Sequence, residues 1–190
     1  MEAVSAFPMI LPPNSKATRS ELCELDKLEN HSTILSIFFS SYNIAFWTIK
    51  YGPADNAGIW AAASQSKQKA VKQKYVDAGI KLMVSAFGAT DTPQSSGLSA
   101  TEVATRLANF VKQNNLDGVD VDYEEINLFG QGASLPWLIA MQRHLREQLP
   151  SPQYTISHAP LAPWFSWATY ADGGYATFDD KIGETIDFYK

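Results

Sequence analysis

An α/β fold with a parallel sheet is predicted by three observations. Segments rich in β-branched and aromatic residues alternate with amphipathic, helix-favouring ones; each helical segment carries a start or stop signal; and one strand-like segment alternates valine and acid along its length. With 190 residues, 45% of them hydrophobic, the chain reads as one domain over 1–190 with enough apolar surface for a core.

The elements follow in order. Leu22, Leu25 and Leu28 recur at about one turn and give a weak helix signal. Residues 33–51, TILSIFFSSYNIAFWTIKY, read as one or two buried strands, and VSAFPMIL near the start competes with TILSIFFS for the first of them. GPADNAG reads as a loop, and WAAASQSKQKAVKQKYVDAG as one helix stopped by Gly79, with Lys67, Lys69, Lys72 and Lys74 on a solvated face. IKLMVSAFG, residues 80–88, is the next strand. Ser99 and Glu102 form a capping box that opens a helix with Val103, Leu107, Phe110 and Val111 on one side. LDGVDVDYE is a strand, and Ser134 and Pro136 open a helix striped by Leu138, Met141, Leu145 and Leu149. QYTISHAPLAP is a further strand, and GETIDFY begins one more. This rhythm fits an open doubly wound sheet or a (β/α) barrel.

The stretch LDGVDVDYEE narrows that choice. Residues at i, i+2 and i+4 of a strand share a face, so Asp120, Asp122 and Glu124 form a row while Val119, Val121 and Tyr123 point the other way. Three carboxylates against a layer of helices would cost several kcal/mol each, on the order of the penalty for burying unpaired charge. A barrel lumen open at one end accepts them more cheaply, which favours a (β/α) barrel, here with five or six of the usual eight strands. An antiparallel strand with an acidic solvent face conflicts with the helix-strand rhythm. An EF-hand loop from Asp120 would need Gly and Glu where the chain has Glu125 and Gln131. Closely spaced carboxylates repel, so one holds a proton at neutral pH and can serve as a general acid. Glu124 falls at the strand's C-terminal end, where barrel active sites open.

Composition excludes other classes. A net charge of −5 with scattered lysines gives no attraction for nucleic acid, and no apolar run approaches the ~20 residues that span a bilayer. One cysteine, Cys23, allows no internal disulfide. The opening MEAVSAFPMILPP lacks a basic n-region and is broken by prolines, so the chain as given reads as cytoplasmic, or as extracellular if its N-terminus is incomplete.

Asp117, Gly118, Asp120, Asp122 and Glu124 complete the pattern DGxDxDxE, and in this the chain resembles the family 18 glycoside hydrolases, chitinases and endo-β-N-acetylglucosaminidases of fungal or plant type. KLMVSAFG looks like a degenerate form of the family's third-strand signature, with Ser85 and Gly88 in place, and YTISHAPLAPWF is similar to its fifth-strand segment. The resemblance implies a TIM-type barrel, apparently truncated, that hydrolyses β-linked N-acetylglucosamine with retention. Glu124 would protonate the glycosidic oxygen, Asp122 would orient the substrate's acetamide, and Asp120 would support Asp122. The acetamide itself is the nucleophile, and no metal or organic cofactor is called for. Asp117, Gly118 and Gly88 would be structural parts of the motifs. Ser85, Phe87, Trp47 and Trp164, with Phe165, are candidates for binding the oligosaccharide, the aromatic ones in competition with core packing. His158 is expected as a hydrogen-bonded structural histidine.

Overall fold

The computed structural model describes residues 40–170 and 172–190. The leucine-spaced helix, the competing N-terminal strand segments and Cys23 lie outside them. Strand β1 (Ser41–Thr48) turns into a two-residue strand β2 (Gly52–Pro53), and helices α1 (Asp55–Ala62) and α2 (Gln65–Asp77) follow. Then come β3 (Lys81–Phe87), α3 (Ala100–Gln113), β4 (Gly118–Asp122), the short α4 (Ile126–Gly130) and α5 (Leu135–Gln148). β5 (Thr155–His158), α6 (Gly174–Ile182) and β6 (Phe188–Tyr189) complete the order. The sheet runs β2-β1-β3-β4-β5-β6, parallel throughout except for the β1–β2 pair. Among the described residues it is not closed, so the architecture is an incomplete (β/α) barrel.

Strand parity divides the sheet as expected. Leu82, Val84 and Ala86 of β3, Val119 and Val121 of β4 and Ile156 of β5 join Val103, Leu107, Leu138 and Met141 from the helices in one core. At roughly 1.5–3 kcal/mol for each large apolar side chain removed from water, this layer drives the fold. The opposite face carries Ser85, Asp120 and Ser157 side by side on three adjacent strands.

The helix signals hold at α3, whose capping box is formed in both directions, and in the proline of the first turn of α5, whereas Ser134 makes no side-chain cap there and meets the Tyr123 hydroxyl instead. Three local readings are corrected. GPADNAG is not all loop, because α1 begins at Asp55. The helix expected across 60–79 is two, broken where Ala63 is extended (φ −69°, ψ 148°) and Ser64 caps α2 by accepting from the Lys67 N–H. A local side-chain cap there overrides helix propensity. Lys72 is not on a solvated face: its ammonium is 2.7 Å from Asp117 Oδ1 and donates to the Asn115 carbonyl at 2.9 Å.

Candidate active site

Asp117 and Gly118 set the base of β4. Asp117 Oδ2 accepts from the Leu82 N–H at 2.7 Å while Oδ1 takes Lys72, so this acid joins β3, β4 and α2. Gly118 has no room for a side chain. A Cβ there would stand 1.8 Å from the carbonyl oxygen of Thr155, its register partner on β5. At the other end of β3, Phe87 and Gly88 turn the chain with φ of +83° and +75°, and a Cβ on Gly88 would press on the Phe46 ring at 3.1 Å. The Gly88 N–H donates to the Asp122 carbonyl at 2.9 Å, which ties the end of β3 to the end of β4.

Asp120 is only 4% exposed. Ser157 donates its hydroxyl to Oδ1 at 2.5 Å, Ser85 donates to Oδ2 at 3.4 Å, and Lys190 Nζ lies 3.8 Å from Oδ1. Ser85 therefore acts on the acid row and is itself buried. One pair further along β4, Asp122 sits level with Phe87. Its carboxyl is pushed up to about 7, first by burial, then by the charges of Glu124 and Asp120 and by a hydrogen bond shared with Glu124, with Lys190 pulling the other way. The group poised to hold a proton at neutral pH is thus Asp122, bonded to Glu124.

Glu124 differs from expectation in one respect. β4 ends at Asp122, so Glu124 stands in the turn beyond the strand, half-buried, and not on its last rung. Its carboxyl still meets that of Asp122.

The aromatic candidates are packed. Trp47 and Phe87 meet edge to face with centroids 6.3 Å apart, and both are buried. Trp164, expected near the sugar, is instead a core residue, stacked on Phe129 at 3.8 Å and flanked by Tyr175 at 5.9 Å. Its rings are already occupied by other rings. Phe165 is 36% exposed and meets Tyr189 edge-on at 5.2 Å. His158 lies on the helix side of β5, fully buried, between the Tyr175 hydroxyl (3.0 Å) and Gln142 Oε1 (3.1 Å). Burial pulls it down to about 3, so it is neutral. Since Gln142 Oε1 only accepts, His158 Nε2–H donates to it, and Nδ1 accepts from Tyr175.

Three contributors were not singled out in the sequence. Ser157 was recoverable by aligning TISH beside GVDVD, since parity puts it next to Asp120. Lys190 carried no local signal. Glu125, the last acid of LDGVDVDYEE, accepts from the backbone N–H groups of Gln94 (2.5 Å) and Ser95 (3.1 Å) and from the Ser95 hydroxyl.

No protein-family model matches the chain, and no curated protein matches it in sequence. Solved structures do match. The chain superposes on a GH18 chitinase from Pseudoalteromonas aurantia with a TM-score of 0.70 and 28% sequence identity, over 86% of this chain and 61% of that one. It superposes on a chitinase A of Streptomyces coelicolor with a TM-score of 0.61 and 21% identity, over 80% of this chain and 50% of that one, a likeness of fold. The class these define is that of the family 18 glycoside hydrolases, and the resemblance read in the acidic motif is a resemblance of fold as well. The chain spans 61% of the length of the first of these neighbours.

Proposed function

We infer that the chain carries the acid cluster of a chitinase-type hydrolase, one that cleaves β-1,4-linked N-acetylglucosamine polymers or N-glycan cores with retention. The observation that supports this best is the row Asp120, Asp122 and Glu124, in which the Asp122 carboxyl, raised by burial and by its neighbours, is hydrogen-bonded to Glu124 behind a carboxylate fixed by Ser157 and Ser85. Glu124, outermost, protonates the glycosidic oxygen as its bond to the anomeric carbon breaks. The acetamide oxygen of the same sugar closes on that carbon, and Asp122 steadies the acetamide N–H as positive charge develops. Water then attacks the anomeric carbon and gives its proton back to Glu124, which restores the acid and the configuration. Two displacements on one carbon give retention without a protein nucleophile.

Binding of the same sugars without turnover is the second reading, favoured by the sheet, which is not closed among the described residues. Hydrolysis of a chromogenic chito-oligosaccharide separates the two. Glu124→Gln is expected to reduce turnover by about 10²–10⁴, the usual contribution of a general acid. Turnover that survives this change removes Glu124 from its role. Saturable binding of the oligosaccharide by an inactive wild type selects the second reading.

A further inference from the structure

Glu124 stands between two residues that are both tied to one loop. Tyr123 donates its hydroxyl to Gln94 Oε1 at 2.8 Å, and Glu125 accepts from Gln94 N–H, Ser95 N–H and the Ser95 hydroxyl. Gln94 also donates from Nε2 to the Ala133 carbonyl at 3.0 Å, which links the loop to the segment before α5. Glu125 is 8% exposed, and its carboxylate supplies acceptors to donors that come from one stretch of backbone. An apolar residue at 125 would leave two backbone N–H groups with no such partner. The turn after β4 and the loop after β3 are therefore held together on both sides of Glu124.

We propose that Glu125 is a positioning residue: by clamping residues 94 and 95 against the turn after β4, it holds Glu124 beside Asp122. Its consequence for catalysis rests on the hydrolase reading above, but the clamp can be tested without substrate. The groups facing Asp122 are Glu124, Asp120 and Lys190, with the Tyr175 phenol from α6, and Glu125 is not among the charges acting on it. Removing Glu125 should thus reach Asp122 only by moving Glu124.

The experiment is a pH titration of the Asp122 carboxyl carbon by NMR in wild type, Glu125→Ala and Glu125→Gln, beside their melting temperatures. As Glu124 drifts away, the Asp122 midpoint in Glu125→Ala should fall by about one pH unit. Glu125→Gln, which keeps one oxygen for the two backbone N–H groups, should restore most of it. A lowered melting temperature with an unmoved midpoint would mean a merely structural residue and overturn the proposal. Where Glu125→Ala does not fold, Glu125→Asp keeps the charge but draws the carboxylate back by one methylene from the N–H groups of residues 94 and 95, and an unmoved midpoint there overturns it equally. In a wild type that turns over chito-oligosaccharide, Glu125→Ala should also lower kcat about tenfold with KM unchanged. An inactive wild type would count against the hydrolase reading alone, since the titration still decides the clamp.

Discussion

Replacing Gly118 by alanine drives a methyl group into the backbone of the next strand. The added carbon would lie 1.8 Å from the Thr155 oxygen, 2.7 Å from its carbonyl carbon and 2.9 Å from its nitrogen. All three are main-chain atoms, so no side chain can swing aside. Ordinary contact begins near 3.4 Å, and β4 and β5 would have to part by roughly 1.5 Å at this rung. That movement stretches the bond from Thr155 N–H to the Asp117 carbonyl, now 2.8 Å, and pulls on Thr155 Oγ1, which accepts from Lys81 Nζ at 2.5 Å. Overpacking costs about 1–3 kcal/mol and each backbone hydrogen bond about 1 kcal/mol, so a loss of ~3–5 kcal/mol is expected. Against a total stability of about 5–15 kcal/mol this is severe. Gly79→Ala is the control, because Gly79 has φ +71° and nothing within 4 Å of its added carbon, so only the backbone penalty of ~1 kcal/mol applies. Urea unfolding followed by circular dichroism, with the m-value checked for constancy, measures both. If Gly118→Ala proves no more damaging than Gly79→Ala, the close approach of β4 and β5 is wrong and the account of this motif glycine falls with it.

Two further predictions concern the buried titrating groups. Asp122, raised from 3.8 to about 7, keeps a proton in the folded state that the unfolded chain releases, so its contribution to stability is full below pH ~4 and is lost as pH rises to 7. His158, lowered from 6.5 to about 3, does the opposite: its contribution is full above pH 6.5 and is lost as pH falls. Between roughly pH 4 and 6.5 the two slopes, each up to ~1.4 kcal/mol per pH unit, offset one another. Asp122→Asn removes one of them, so its melting temperature should fall with acidification across that window more steeply than that of wild type, and parallel curves would disprove the pairing. Tyr175→Phe takes away the hydroxyl that His158 Nδ1 accepts from and should cost about 1–3 kcal/mol in urea unfolding.

How much of this was legible in the sequence depended on the range of the interaction responsible. The alternation in GVDVD is a local rule, and parity alone put valines toward the helices and acids toward the lumen. Capping at Ser99 is equally local and was readable. The end of β4 was not: the chain turns after Asp122 because Gly88 and Gln94, some thirty residues upstream, bind residues 122 and 123, and nothing in DYEE announces those partners. Trp164 shows the same limit, since an aromatic side chain suits a sugar or a core equally and only Phe129 and Tyr175 decide between them. The acids of LDGVDVDYEE bring the two ranges together. Those at even positions gather beside Asp122, whose carboxyl is raised by burial and then by the charges of the other two, while Asp117 and Glu125, both odd, each bind a backbone N–H from the segment carrying β3 and its following loop. Parity could have separated the two sets, but only the folded partners show the odd-numbered pair bonded to backbone at the two ends of the strand that carries the acid row.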